Sequence, residues 1–288
     1  MTTPTDASLQ ELRDLARSYE PDRYLAATLA AEPARAALIT LAAYAADLAR
    51  IAATAKQPML GEIRLQWWRD TLDSIASTER SGSPLADALA EAVKAYNLPV
   101  PMLAAMTEAR AWDLYGDPMP DAAALDGYLS KSEAIPFELA LRVLGVAAGN
   151  AVRLSGPAGR AYGMTRLLLR LPAHLARGRM PLPLQMLVEH DIGRDTLPGD
   201  AGGQAATLGL HALIRSLSRD IEAALASLRP QICSLSQVQR VALLPLAVVP
   251  AYLKVLHHRR RDPARDLATT APLTRVWRIG VAHWTGRL

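Results

Sequence analysis

Residues 58–70 read PMLGEIRLQWWRD, and this stretch says most about the fold. Pro58 restarts the chain after a preceding helix, and residues 60–75 have the pattern of an amphipathic helix. Its apolar positions roughly follow the 3.6-residue period of a helix that buries one face; they are Ile63, Trp67, Leu72 and Ile75. The stretch therefore predicts a helix packed against a helical neighbour.

The same helical pattern continues on both sides of this stretch. No repeat of solenoid length emerges and no Pro/Ser/Gly-rich linker divides the chain, so the prediction is a single all-α domain of roughly ten helices. A turn containing Pro157 is expected at residues 156–159, and residues 191–204, which hold Asp, Gly and Pro, are expected to form a loop. The longer predicted helices span residues 34–55, 84–96, 100–115, 121–131, 133–149, 158–176, 205–228 and 236–258.

The composition excludes several classes of protein. Hydrophobic residues make up 50% of the 288 residues and the net charge is only +4, so a disordered chain is excluded. The chain is rich in Ala, Leu and Arg rather than in β-branched and aromatic residues, which argues against an all-β fold. Cys233 has no partner for a disulfide, so the chain is not a disulfide-stapled secreted module.

Charge and hydropathy give expectations about partners and location. Lys and Arg total 32 against 28 Asp and Glu, and aromatics do not interleave with the basic runs, so no nucleic-acid partner is expected. The first ten residues have no apolar core typical of a signal peptide. The most apolar run, residues 241–253, is too short to span a bilayer and contains Pro245 and Pro250. We expect a cytoplasmic protein in a reducing compartment.

Common catalytic motifs are absent from the sequence. It has no glycine-rich phosphate loop, no H-E-x-x-H zinc motif and no G-x-S-x-G elbow. Adjacent residues on a helix point about 100° apart, so the pair at 257–258 is interpreted as a basic helix end rather than a metal site. Asp70 and Asp73 lie one turn apart and are interpreted as a solvated acidic face rather than half of a metal site.

Four segments together carry a resemblance to a known family. They are DRYLA at 22–26, LAAYA at 41–45, PMLGEIRLQWWRD at 58–70 and RGRMPLP at 177–183. Their order and spacing resemble the squalene/phytoene synthase family, and the match covers nearly the whole chain. The resemblance implies one all-α domain over residues 1–288, with residues 1–18 as an N-terminal helix and residues 263–288 as a C-terminal tail packed on it.

Members of this family join two prenyl diphosphates head to head inside a central cavity. The resemblance implies that two aspartate-rich segments face each other at the cavity mouth and hold Mg²⁺, because clustered carboxylates hold the metals that neutralise a diphosphate leaving group. This sequence departs from both segments. Alignment on Tyr44 puts Ile51 and Ala55 at the first aspartate pair, with Asp47 one turn too early.

The second segment departs in the same way. The RGRMPLP motif sets the register without gaps, so Arg166 stands at the family's asparagine, and Arg170 and His174 stand at its two aspartates. These residues are spaced i, i+4 and i+8 and share one helix face. Because arginine cannot be deprotonated and repels a divalent cation, the resemblance implies that metal-dependent prenyl transfer is lost, with no catalytic residue and no metal ligand.

Nine residues are candidates for binding. The anion or diphosphate-binding candidates are Arg166, Arg170, His174, Arg177 and Arg179. The alternative for the first three is pairing with helix acids such as Asp47. The cavity candidates are Tyr44, Asp47, Gln66 and Trp67. The alternative is structural: Tyr44 is buried and hydrogen-bonded, and of Trp67 and Trp68 one packs in the core and the other at a helix interface.

Three functional hypotheses remain open. The pattern LLRLPAH at 168–174 with Leu182-Pro183 resembles a branch of the family that includes a mitochondrial assembly factor for respiratory complex I. This resemblance implies a non-catalytic protein without a cofactor. Its partner would be a protein, or its ligand an isoprenoid or lipid. The second is an active prenyltransferase using Mg²⁺ with atypical diphosphate handling. The third is a membrane-associated partner-binding protein with a filled cavity, and a location peripheral to the inner membrane is the alternative to a cytoplasmic one. The basic run 257–261 would either contact an anionic membrane surface or form a solvated helix end.

Overall fold

A computed structural model describes residues 6–55, 57–77, 81–116, 118–192, 204–258, 261–268 and 270–287. The described residues form helices and connecting turns without a strand, so the all-α prediction is confirmed. Most of the predicted loop, residues 193–203, lies outside this range, as do residues 259 and 260 of the basic run.

The helices follow one another with short connections. A π-helical segment covers Ser130–Ala134, and a 3₁₀ segment covers Val241–Val248. The α-helices are α1 (Asp6–Tyr19), α2 (Pro21–Thr28), α3 (Ala34–Thr54), α4 (Pro58–Asp73), α5 (Pro84–Tyr96), α6 (Val100–Ala109), α7 (Trp112–Tyr115), α8 (Ala122–Leu129), α9 (Ile135–Val143), α10 (Ala148–Leu175), α11 (Leu184–Val188), α12 (Gln204–Cys233), α13 (Gln237–Arg240), α14 (Val249–Leu256) and α15 (Pro272–Thr285).

Local sequence sets several of these boundaries. Pro58 and Pro84 occupy the first position of α4 and α5, where a missing N–H costs nothing. The Asp121 side chain caps α8 by accepting a hydrogen bond from the Ala124 N–H at 2.8 Å. Asn97 ends α5 in the left-handed conformation, with φ of 48°.

Two helices form the centre of the bundle. α3 is almost completely buried from residue 37 to 48 and packs against α1, α2 and α5. α10 packs against α9, α12 and the π-helical segment. The turn expected at 156–159 is wrong: Pro157 lies inside α10, which runs unbroken for 28 residues. Neighbouring helices surround α10 on several sides, so their packing outweighs the local helix-breaking tendency of Pro157.

Two helical segments are long and apolar enough to cross a membrane, Ala34–Thr54 and Gln237–Leu256. The bundle buries 72% of the first and 67% of the second. The second is a continuous helical stretch, whereas the sequence predicts a run too short to span. The 3₁₀ segment accommodates Pro245, and Pro250 lies in the first turn of α14, so neither proline ends the helix.

The amphipathic helix at 60–75 forms as α4, but only part of its predicted buried face is confirmed. Its buried residues are Gly61, Leu65, Trp68 and Leu72, whereas Ile63 is 60% exposed and Trp67 41%. At 100° per residue, Ile63 and Trp67 lie on the opposite side of the helix from Leu72. Gly61 lies on the buried side, where an added β-carbon would overlap the Leu114 side chain of α7.

Candidate functional site

The three residues of the second family segment lie together. Arg166, Arg170 and His174 line one cavity of about 40 Å³ beside α7, α8 and the π-helical segment. This volume is close to that of a single water molecule, about 30 Å³ in the liquid, and far below the 300–1,000 Å³ of typical ligand pockets. The spacing of the three residues thus brings them to one face, but the space beside them is small.

Arg166 is held by buried carboxylates. Its guanidinium donates two hydrogen bonds to Glu20, at 2.6 and 2.8 Å, and lies 3.2 Å from Glu133. Arg23 contacts the same two carboxylates at 2.6 and 2.8 Å. Two parallel N–H···O bonds between arginine and a carboxylate are the strongest form of this pair. Arg166 therefore joins the turn before α2 to the π-helical segment through α10.

A second ion pair extends this group. Arg110, at the end of α6, lies 3.7 Å from Glu133 and 3.1 Å from Asp113. Tyr128 accepts a hydrogen bond from Arg110 at 2.9 Å and donates one to Asp113 at 2.8 Å. We call the six charged residues the buried ionic cluster: Glu20, Arg23, Arg110, Asp113, Glu133 and Arg166. Three cations face three carboxylates, so the cluster is electrically balanced.

The neighbouring charges change the pKa values of the acids in the cluster. Burial raises the pKa of Glu133, but attraction to Arg166, Arg23 and Arg110 outweighs burial and lowers the pKa to about 2. The pKa of Glu20 is lowered for the same reason: burial opposes ionisation, and Arg166 and Arg23 overcome it. Both carboxylates are therefore ionised partners of the arginines at neutral pH.

This lowered pKa predicts a loss of stability in acid. Glu133 contributes about 3 kcal/mol above its ordinary pKa of 4.5, and this contribution is lost as the pH falls from about 5 toward 2. The difference in free energy of unfolding between the wild type and Glu133→Gln should be largest at neutral pH and shrink in acid. Urea unfolding at several pH values measures it.

Glu108→Gln is the matched control for this experiment. Glu108 is exposed, and its ion pair with Lys131 is long, at 3.8 Å, and exposed as well. An exposed pair of this kind contributes little, so that variant should differ little from the wild type at any pH. A gap between the wild type and Glu133→Gln that stays constant down to about pH 3 would contradict the role of Glu133.

The structure corrects the predicted partner of Arg166. The sequence offers Asp47 as an alternative partner, but Arg166 pairs with Glu20 and Glu133, while Asp47 pairs with Arg50 at 2.5 Å. Arg166 is only 8% exposed and its charge is already compensated. It is thus an internal structural cation rather than a free anion-binding group.

The other four anion-binding candidates have different surroundings. Arg179 donates to the backbone oxygens of Asp113 at 2.6 Å and of Leu114 at 3.3 Å, so it binds the carboxyl end of α7. Arg170 and Arg177 are exposed, and His174 is half-buried. Repulsion from Arg166 lowers the pKa of Arg170. Burial lowers the pKa of His174, with Arg170 adding to the effect, so His174 is mostly neutral at pH 7.

Tyr44 and Asp47 lie in the core side by side with Trp68. The Tyr44 hydroxyl bonds to the Leu103 carbonyl at 2.9 Å and to the Thr107 hydroxyl at 2.6 Å. Asp47 accepts a hydrogen bond from the Trp68 indole N–H at 2.9 Å. Burial raises the pKa of Tyr44 well above its usual value. Tyr44 is thus a buried, hydrogen-bonded core residue, which is the structural alternative to a role in lining a cavity.

Gln66 and Trp67 lie on the outer side of α4. Gln66 is exposed and donates to Asp70 at 2.7 Å. Trp67 is 41% exposed and packs its ring against Trp68, with 4.9 Å between the ring centroids. Trp67 nevertheless lines a cavity of about 380 Å³ together with Asp47 and Trp68, between α1, α3, α4 and α5. Two of the four cavity candidates, Asp47 and Trp67, thus face one cavity, while Gln66 lies on the exposed side of α4.

The residues that alignment on Tyr44 places at the first aspartate pair are apolar. Ile51 is 1% exposed within α3, and Ala55 is half-buried at its end. Among the described residues, no group of three or more His, Cys, Asp or Glu side chains is arranged to hold a metal ion. The nitrogen donors of Arg170 and His174 do not suit Mg²⁺, which prefers oxygen ligands.

The structure describes three residues of the basic run at 257–261. His257 and His258 are exposed at the end of α14, and the His257 ring lies 2.8 Å from the Ser218 hydroxyl. Arg261 is buried and donates two hydrogen bonds to the backbone oxygen of Asp266. Its guanidinium therefore holds the following turn.

Sequence reasoning does not identify Glu20, Arg110 or Glu133 as part of the site. Glu20 lies just before the DRYLA segment at 22–26, and the other two have no local motif. One signal was available: an arginine on the inner face of a long core helix requires a buried carboxylate partner. That requirement predicts that partners exist but does not say which acids in a chain of 288 residues they are.

Comparisons with known proteins show the family and the fold of the chain. The family model described as squalene/phytoene synthase matches residues 16–277. Squalene synthase HpnC from Alicyclobacillus acidocaldarius has a crystal structure that superimposes with a TM-score of 0.74 at 19% identity, covering 91% of this chain and 97% of that one. At this identity the likeness shows the fold.

Two curated relatives are informative. Complex I assembly factor 6 of NADH dehydrogenase (ubiquinone) from Bos taurus is 26% identical over 182 residues, which is 63% of this chain and 55% of the relative. The chain thus spans about half the length of that relative. Presqualene diphosphate synthase from Rhodopseudomonas palustris is 30% identical over 132 residues, 45% of each chain.

Proposed function

Because the chain belongs to the squalene/phytoene synthase family, we propose that it is a non-catalytic member that works as an assembly-type factor for a respiratory complex. The observation that carries the proposal is the state of Arg166. In the register set by residues 177–183, this arginine stands where the family's second metal-binding segment begins, and it is bound on both sides by Glu20 and Glu133.

The surrounding residues support the same reading. The positions of the four family aspartates hold Ile51, Ala55, Arg170 and His174. Mg²⁺ would lack its oxygen ligands there. The cavity beside Arg166, Arg170 and His174 is about 40 Å³, too small for a prenyl chain. A family fold without oxygen ligands for the metals of the family's chemistry is suited to binding a partner through its surface.

The partner is proposed from the relatives. The assembly factor of Bos taurus takes part, by its name, in building NADH dehydrogenase (ubiquinone) complex I. A protein of this kind acts in the cytoplasm or at the periphery of the inner membrane. An isoprenoid or lipid ligand is the second version of the proposal; it would need the space beside Arg170 to open, or would enter the cavity of about 380 Å³ lined by Asp47 and Trp67.

Incubation with farnesyl or geranylgeranyl diphosphate and Mg²⁺ tests the loss of catalysis. We expect no C30 or C40 product above a reaction without protein, because nothing holds the metals that would neutralise the diphosphate. Organic extraction followed by mass spectrometry measures the products, with a presqualene diphosphate synthase as positive control. Robust formation of either product would overturn the non-catalytic proposal.

Deletion of the gene in its own organism tests the assembly role. We expect less fully assembled complex I on a native gel, restored by the wild-type chain. The Arg170→Ala chain should restore it equally well, since Arg170 is exposed and is assigned no role in assembly. Unchanged complex I in the deletion strain would contradict the assembly role and leave the first test unaffected.

A second candidate function has one specific observation behind it. Arg170 and Arg177 are exposed and have no ion pair within the described part of the chain, and the chain resembles presqualene diphosphate synthase. An active prenyltransferase with atypical diphosphate handling would use these cations. It predicts that Arg170→Ala or His174→Ala abolishes product formation while the fold persists.

A further inference from the structure

The C-terminal helix α15 presents its apolar side to solvent. Leu273 is 80% exposed, Trp277 72% and Trp284 87%, and Val276 and Val281 are exposed beside them. At 3.6 residues per turn, these five side chains cover an arc of roughly 140° on one face of the helix. A surface helix of a globular protein normally turns such an arc toward the core. We call these five residues the outer face of α15.

Contacts on the inner side of α15 fix its rotation about the helix axis, so the outer face stays exposed to solvent. Ile279 and Ala282 are buried, and α15 packs against α2 and the 3₁₀ segment. The Arg275 side chain donates to the Tyr252 hydroxyl at 2.9 Å and lies 3.5 Å from Asp22. Two anchoring contacts, one apolar and one polar, therefore set the rotation of the helix about its axis.

Two arginines lie beside the outer face. Residues 271–288 contain three arginines but no Asp or Glu. Arg275 is on the inner side, whereas Arg278 flanks the apolar arc and Arg287 follows the helix end. Cations beside an apolar face with tryptophans are typical of helices that lie in a membrane interface.

The composition of the face favours a lipid surface over a protein. Two tryptophans and three aliphatic side chains flanked by arginine match the amphipathic helices that lie in a bilayer interface. A bilayer needs no complementary shape. Indole rings settle at the headgroup level, and arginines extend to anionic phosphates.

From these observations we propose that the outer face of α15 docks the molecule on an anionic lipid bilayer, with the helix lying parallel to the surface. Trp277 and Trp284 insert among the headgroups, and Arg278 and Arg287 contact lipid phosphates. This docking concerns where the molecule sits and stands whether or not the chain is catalytic or assists assembly.

Sedimentation with vesicles tests this docking. The full chain is mixed with vesicles of phosphatidylcholine containing phosphatidylglycerol, or of phosphatidylcholine alone. We expect binding to the mixed vesicles that weakens with salt, and much weaker binding to the neutral ones. The Trp277→Ser/Trp284→Ser variant should bind the mixed vesicles at least about tenfold more weakly, because two large apolar side chains no longer enter the interface.

A matched variant separates this effect from a general loss of surface apolarity. Leu208 and Val238 are 62% and 57% exposed on other helices, so Leu208→Ser/Val238→Ser should bind like the wild type. Circular dichroism checks that both variants stay folded. Absence of wild-type binding, or equal binding by both double variants, would overturn the proposal. So would a wild-type dimer that the Trp277→Ser/Trp284→Ser variant alone converts to a monomer.

Discussion

Replacing Arg166 with methionine is expected to lower the free energy of unfolding by about 3–5 kcal/mol, the usual cost of removing one partner from a buried ion pair. The loss comes from the two carboxylates left behind. Glu20 is completely buried and Glu133 is 5% exposed, and Arg23 alone would remain in direct contact with both. Methionine fills a similar volume, so the change tests charge compensation rather than packing.

Arg170→Met provides the matched control, one turn further along the same helix. Arg170 is exposed and is repelled by Arg166, so its removal should change stability by less than about 1 kcal/mol. Urea unfolding followed by circular dichroism measures all variants. An Arg166→Met protein as stable as the Arg170→Met protein would contradict the role of Arg166 in the buried ionic cluster.

A double variant distinguishes lost compensation from general damage. Arg166→Met combined with Glu20→Gln removes one charge of each sign and leaves Arg23 and Arg110 facing Glu133 and Asp113. Because the remaining charges balance, the double variant should regain a substantial part of the stability that the single variant loses. No recovery would mean that Arg166 acts through its shape or its hydrogen-bond geometry.

The second large effect is expected at Gly159, where alanine should destabilise the fold by about 3 kcal/mol, the upper part of the usual range for overpacking. A β-carbon at this position would overlap the backbone of Ala134 and lie 2.5 Å from its Cβ. Gly163, one turn later, similarly faces Glu133, whose Cγ would be 2.7 Å from an added β-carbon. This glycine pair lets the π-helical segment approach α10 closely enough for Glu133 to reach Arg166.

Gly127→Ala is the control for this substitution. Gly127 lies in α8 with nothing within 4 Å of an added β-carbon, so alanine there should be neutral or stabilise by up to about 1 kcal/mol through helix propensity. Thermal and urea unfolding compare the three proteins. A Gly159→Ala protein as stable as Gly127→Ala would show that α10 and the π-helical segment are less tightly packed than described.

The sequence predicts the helical class well because a helix that buries one face requires apolar residues at a regular spacing along the chain. Regular spacing of Ala and Leu and the absence of β-branched runs suffice for that class, and the four short segments indicate the family. At α4 the same reasoning identifies the helix and the buried Leu72 but wrongly predicts that Ile63 and Trp67 are buried, because apolar character alone does not show which side of a helix meets its neighbours.

The binding candidates divide in a similar way. The spacing of Arg166, Arg170 and His174 correctly places them on one side of α10, since i, i+4 and i+8 are neighbours on any helix. Their different surroundings follow from distant parts of the chain. Glu20 lies 146 residues from Arg166 and Glu133 lies 33 residues away, and no local pattern records such a contact.

By itself, then, the sequence determined the helical architecture and the family, because the first follows from local periodicity and the second from the residues of short segments. Only the tertiary structure decided that Arg166 is neutralised by internal carboxylates while Arg170 remains exposed, and that α15 turns its tryptophans outward. Charge compensation and exposure depend on which distant segments come into contact, and that contact is a property of the packed bundle.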